Sequence, residues 1–278
     1  MAKITAAEVN NLRKQTGAGM MDCKNALVEA DGDFEMAVDI LRKKGQKIAA
    51  KRADRDATEG AVLSKSSADH KVGVLISLNC ETDFVAKNEQ FLNFANGILD
   101  IAMNNLPETK EALLGLPFDG SLTVSDKITE QTGVIGEKLE LAAYELVRAE
   151  HVSAYIHAGN KLATLVGLSA TGDGVEEAGR DVAMQVAAMS PIALNEDEVD
   201  EATIERELEV GRDLARQEGK PEAMLDKIAQ GRLNKFFKES TLVHQQFIKD
   251  SKLSVAQYLD SVSKGLKATS FKRVGLGV

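Results

Sequence analysis

Tryptophan is absent from this chain, and its 278 residues include only two cysteines and four prolines. Two thiols, Cys23 and Cys80, cannot make a disulfide framework, and they fit a reducing cytosolic setting. The four histidines, His70, His151, His157 and His244, are scattered and share no metal-ligand spacing with the cysteines. No apolar run is long enough to span a membrane. The N-terminus has neither the apolar core of a signal peptide nor the Arg-rich character of a transit peptide. No loop ends in Gly-Lys-Ser/Thr, and no Gly-x-Gly-x-x-Gly opens a helix after a strand. Residues 172–179 are rich in glycine but lack the lysine, and a βα turn explains them. A cysteine–histidine nucleophile finds no support either. The net charge of −9 disfavours RNA or DNA as the main ligand. These absences leave no case for an enzyme, a cofactor, a resident metal or direct nucleotide binding.

What is present describes a soluble, helix-rich globular protein of two or three domains, with 44% apolar and 28% charged residues. Thr5 and Glu8 form a capping box, with Ile4 and Val9 placed to staple across it. The first helix carries Val9 and Leu12 and stops at Thr16-Gly17-Ala18-Gly19. The second puts Met20, Cys23, Leu27 and Ala30 on one face, with Met21 off it. Asp33 caps a third, with Phe34, Ala37, Val38 and Leu41 as its stripe and Gly45 as its end. Three short helices in about 45 residues form a marginal unit suited to docking, without room for a buried catalytic site. Residues 43–56 read as a basic, solvated connector, partly helical.

Strands follow at 61–64 and 72–79, then a short connection and a helix at about 89–103. Residues 104–122 read as irregular with one short helix, 123–133 as a polar helix, and Ile135-Gly136-Glu137 as a bend. Residues 138–149 fit either strand or helix. Gly159-Asn160 joins two further strands, 152–158 and 161–169, in a hairpin. Another helix then carries Val175, Ala178, Val182, Val186 and Met189. The order strand, strand, connection, helix thus occurs twice, which points to an internal duplication. Residues 200–217 and 222–238 form an antiparallel helix pair around Gly219-Lys220-Pro221, with Ile204, Leu208 and Leu214 facing Met224, Ile228 and Phe236. A short helix capped by Ser254 and a strand at 268–274 complete the chain. The expected class is α+β with antiparallel sheets, divided as 1–55, 56–150 and 151–278, the last including the helix pair at about 200–238.

The stretch that stands out is Cys80-Glu81-Thr82-Asp83-Phe84-Val85-Ala86-Lys87, between a strand and a helix capped by Asn88. It sets an aromatic beside a carboxylate in a chain that is 4% aromatic. Two readings follow. Phe84 packs inward as a plug, with Asp83 capping a helical turn, which the residue types alone favour. Otherwise Thr82, Asp83, Phe84 and Val85 form a wedge that enters a partner. The second copy has Thr171-Gly172-Asp173-Gly174 at the corresponding place, without an aromatic, which weakens the plug reading.

Thr16-Gly-Ala-Gly-Met-Met-Asp-Cys-Lys24 and Thr82-Asp-Phe-Val-Ala-Lys87 together resemble the two signature stretches of the bacterial elongation factor Ts family. The resemblance runs on through Ile135-Gly-Glu137, Tyr155-Ile-His-Ala-Gly159 and Gly219-Lys-Pro221, nearly the whole chain. It implies an N-terminal three-helix module of ubiquitin-associated type, two related α+β subdomains and a projecting antiparallel coiled coil. It also implies guanine-nucleotide exchange on the GTPase elongation factor Tu in the cytoplasm. By that resemblance, Arg13, Met20 and Met21 touch the GTPase, Asp83 and Phe84 intrude near its Mg²⁺ and phosphates, and His157 lies at the interface. Some members continue into a further C-terminal helix; the sequence here stops at Val278. The competing expectation is an adaptor that uses the three-helix unit for other partners and keeps Phe84 in its own core.

Overall fold

The computed structural model describes residues 4–120 and 122–277. The outermost ends of the expected first and last units, residues 1–3 and 278, lie outside the described residues, as does residue 121 within the segment read as irregular.

Three helices open the fold: α1 (Ala6–Thr16), α2 (Met20–Glu29) and α3 (Phe34–Arg52). The Thr5–Glu8 capping box is formed, and Gly17 closes α1 in the left-handed conformation. Val9, Leu12, Cys23, Ala26, Leu27 and Ala37 share one apolar cluster. Met20 is not part of it: it is exposed, whereas Cys23, Leu27 and Ala30 are buried. Gly45 does not end α3, which runs on to Arg52 through the segment expected to be a connector. The reason is packing. Gly45 is where α3 crosses α7 (Val124–Ile135), and a Cβ on Gly133 would lie 2.3 Å from the Gly45 Cα. Glycine is there to let two backbones touch.

Next come β1 (Glu59–Ser66), β2 (Val72–Cys80), a single turn α4 (Asp83–Ala86), α5 (Glu89–Asn105) and α6 (Lys110–Gly115). A two-stranded ribbon, β3 (Pro117–Asp119) with β4 (Leu122–Thr123), was not expected from the sequence. The ambiguous segment is a strand, β5 (Glu140–Arg148), because it pairs antiparallel with β2 and completes the sheet β1-β2-β5. Then follow β6 (His151–Ile156), β7 (Leu162–Leu168) and α8 (Val175–Met189). The helix pair is α9 (Glu201–Gln217) and α10 (Leu225–Ser240), the latter entered through a 3-10 turn at Glu222–Met224. Ile204, Leu208 and Phe236 pack in its seam as expected, but the rest of the contact line differs. Gly211 and Ala215 are buried opposite Leu225, Ala229, Leu233 and Phe237, while Leu214 and Met224 are exposed. Gly211 lies so close to Ala229 that a Cβ would sit 3.0 Å from its Cα, so small residues set the contact line. A ribbon, β8 (Gln246–Phe247) with β9 (Asp250–Ser254), then α11 (Val255–Val262) and β10 (Ala268–Gly275) finish the sheet β10-β7-β6.

The two sheets stack through Val62, Leu75, Val147, Val152, Ala163 and Leu165. Each is covered on its other face by helix. Ala61, Leu63, Val74, Ile76 and Leu78 pack on α5, and Val166 and Leu168 on α8 and α11. Strands buried on both faces explain the nearly continuous apolar runs at 74–78 and 162–168. The result is a mixed α+β fold with antiparallel sheets.

The duplication is visible residue by residue. Between β1 and β6 and between β2 and β7, corresponding residues lie 90 positions apart, as with the left-handed turn residues His70 and Asn160. Between α5 and α8 the interval is 84. Buried Phe91, Phe94, Ala95, Ile98, Leu99 and Ala102 correspond to buried Val175, Ala178, Gly179, Val182, Ala183 and Val186, and the left-handed caps are Leu106 and Ser190. Between strand and helix the first copy is therefore six residues longer, and α4 lies in that extra length.

Candidate partner-binding site

The chain leaves β2 at Cys80, whose side chain is buried and whose Sγ donates to the Thr82 carbonyl at 3.2 Å. Burial, followed by the nearby Glu137 carboxylate, pushes that thiol up to about 12, so it stays protonated. Thr82 has extended backbone and caps α4, accepting from the Val85 amide. Val85 and Ala86 turn inward against the α5 cluster. That leaves Phe84 on the outer side of the turn, 83% exposed and more so than any other large apolar residue described. The inward-plug reading is thereby excluded, and with it the adaptor as expected, which needed this ring in its own core.

Asp83 begins α4 and pairs with Lys87 one turn on, Oδ2 to Nζ at 2.6 Å. This hydrogen bond and ion pair hold the Asp83 carboxyl below its ordinary range. Lys87 is 74% exposed, so its side chain is free to swing away and leave Asp83 to another ligand. Outside the turn, Glu137 accepts from the Thr82 amide at 3.0 Å and from its hydroxyl at 2.7 Å.

The His157 hairpin borders this surface. Lys161, at its far end, pairs with Glu59 at 3.0 Å and adds favourable charge at Asp83. His157 is exposed, with Nδ1 3.0 Å from the Tyr155 hydroxyl. Met20 and Met21 are exposed together and, with Ile4, Val9 and Lys24, line an open cleft of about 370 Å³ between α1 and α2. Arg13 is exposed on α1 but does not line the cleft. The structure thus gathers Thr82, Asp83, Phe84 and Val85 in one turn and pairs Met20 with Met21.

Ile248 is among the exposed apolar residues that the sequence did not mark. It sits at the tip of the β8–β9 ribbon, its amide donating to Gln185 Oε1 at 2.8 Å. Lys249 beside it pairs with buried Asp181 at 2.5 Å. A lone isoleucine between Phe247 and a lysine carries no periodic signal, and only the buried partners mark it.

Fold and surface together define a class: an α+β protein built on a duplicated unit, with an exposed aromatic turn added to one copy. The sequence model described as Elongation factor TS matches residues 81–278, starting one residue before that turn's cap. The chain is similar to the protein named Elongation factor Ts of Christiangramia forsetii, 60% identical over 277 residues and covering 100% of both chains. It is also similar to those of Flavobacterium psychrophilum, 57% over 277 residues and 100% of both, and Porphyromonas gingivalis, 49% over 274 residues and 98% of both. This chain belongs to the elongation factor Ts family of translation elongation factors.

Proposed function

We propose that this protein is a cytoplasmic guanine-nucleotide exchange factor for elongation factor Tu, and that it acts by inserting the Asp83–Phe84 turn beside the GTPase's Mg²⁺ and phosphates. The observation that carries this reading is the position of Phe84: an exposed ring on a turn anchored from both sides, in a segment that the second copy of the unit does without.

Mg²⁺ demands near-ideal octahedral geometry, so a small displacement of its surroundings is costly. Burying the Phe84 ring in the partner would supply roughly 1.5–3 kcal/mol toward holding the GTPase in a distorted state. Asp83 brings a carboxylate near the ion's position. The factor then binds the nucleotide-free partner best, and linkage requires nucleotide to weaken factor binding by the same ratio, so GTP releases it. In this reading Arg13, Met20, Met21 and His157 hold the partner in place. The α1–α3 unit is a ubiquitin-associated-type docking module, 56–150 and 151–278 are two related subdomains, and α9–α10 is a projecting coiled coil.

The test is GDP release from elongation factor Tu, followed with a fluorescent nucleotide, with and without this protein. Strong acceleration is expected, with Phe84→Ala losing most of it while complex formation falls modestly. Equal stimulation by wild type and Phe84→Ala would remove the wedge.

A further inference from the structure

Two carboxylates beside the turn brace it in a crossed pattern. Glu137 accepts from the Thr82 amide at 3.0 Å, and Glu81 accepts from the Lys138 amide at 2.6 Å. Each glutamate thus holds the residue that follows the other. Glu81, with 15% of its side chain exposed, also takes Nη1 of Arg52 at 2.7 and 2.8 Å from its two oxygens. The Lys138 amide, followed by the Arg52 charge, keeps that carboxylate ionised.

Both ends of this brace belong to helices that are locked together elsewhere. Arg52 is the last residue of α3, which begins in the three-helix cluster beside α2. Glu137 follows Gly136, the left-handed cap of α7. The two helices touch backbone to backbone at Gly45 and Gly133. The route from the Met20–Met21 surface to Phe84 is therefore a helix crossing followed by charge-assisted hydrogen bonds.

We propose that Glu137, Glu81 and Arg52 are positioning residues for nucleotide exchange: they hold the Asp83–Phe84 turn in its inserting conformation and tie it to the three-helix unit. This rests on the exchange activity proposed above. A turn ordered in advance loses less conformational freedom on insertion. Two surfaces fixed on one body also make the second contact intramolecular once the first has formed.

Stimulated GDP release at saturating and limiting factor separates this role from simple docking. Glu137→Ala is expected to lower the maximal rate at least about fivefold, since small misplacement of a wedge is costly. The half-saturating concentration should change less than about twofold. Glu137→Gln keeps a carbonyl oxygen for the Thr82 amide and is expected to recover most of the rate. In a Phe84→Ala background Glu137→Ala is expected to cost far less, because most of its effect passes through that ring. An unchanged maximal rate, or an equal additional loss in that background, would overturn the proposal. Amide hydrogen exchange in the free protein gives a readout independent of the partner. The Thr82 amide, whose acceptor is Glu137, should exchange faster in Glu137→Ala and stay protected in Glu137→Gln, and the Lys138 amide, whose acceptor is Glu81, should exchange faster in Glu81→Ala. If wild type fails to accelerate GDP release, the exchange reading is lost while these amides still report the brace; unchanged protection would remove the brace itself.

Discussion

His70 and Asn160 stand in for each other across the two halves of the molecule. Each turns its hairpin in the left-handed conformation at φ 56°. Each then accepts, on its backbone carbonyl, an amide from the opposite sheet: His70 from Val152 and Asn160 from Val62. Those donors are themselves corresponding residues, and both lie in the apolar layer between the sheets. The ion pair of Glu145 with Lys272, at 2.8 Å, joins the matching strands β5 and β10. The exchange of bonds between equivalents makes the paired sheets one body, against which an added turn stands out.

Removing that turn should separate folding from function. Excising residues 82–87, so that Glu81 joins Asn88, gives the first connection the length of the second. The variant is expected to unfold cooperatively in urea with a loss of about 2–4 kcal/mol, mainly from Val85 and Ala86 leaving the α5 cluster. Stimulation of GDP release should vanish. Failure to fold would mean that the turn is part of the core.

Asp83→Ala should alter the Mg²⁺ dependence of stimulated exchange. Its carboxylate is paired only with Lys87 one turn on among the described residues, so its removal leaves the fold intact, within about 0.5 kcal/mol. Titrating Mg²⁺ against the exchange rate for both proteins tests the assignment. Superimposable curves would place Asp83 away from the ion.

Gly133→Ala places a Cβ against the Gly45 backbone, where no side chain can yield. The helices must part, at a cost of about 1–3 kcal/mol in urea unfolding. Gly115→Ala meets open space and should stay within about 0.5 kcal/mol. Equal effects would show that the crossing is looser than drawn.

Acid should weaken the joint between the sheets at His151. This ring is buried, stacked on His70 at 5.1 Å, and its Nε2 lies 3.1 Å from Ser153 Oγ. Burial first, and then His70, push its pKa below the ordinary value, against a weaker pull from Glu176. The unfolded chain therefore binds the proton more readily. Stability is complete above the unfolded value of about 6.5 and is lost as pH falls toward the depressed folded value. Urea midpoints from about pH 7.5 to about pH 5.5 should fall more steeply for wild type than for His151→Gln. Parallel slopes would acquit this histidine.

Local rules were readable where they acted alone. The Thr5–Glu8 box, the Asn88 cap and the Gly159-Asn160 hairpin follow from neighbours within a few positions, and the structure contains all three. The duplication was legible too, because apolar spacing survives in both copies. Tertiary contacts hid the rest. Gly45 reads as a helix end until α7 is laid across it. The 138–149 segment fits two periods until β2 offers it hydrogen bonds. Leu214 looks like a seam residue until Gly211 lets the backbones close on the neighbouring face. At the candidate site, Phe84 was marked by its type and setting. The glutamates that steady its turn come from 81 and 137, a separation that no window along the chain spans.

The six extra residues have a consequence for how this surface can change. A segment that the sister copy omits has few duties in holding the architecture upright. In the proposed exchange role, its outward side chain is therefore open to change toward a different partner without endangering the scaffold behind it. Engineering of partner choice should begin at Phe84 and its immediate neighbours, leaving the sheets as they are.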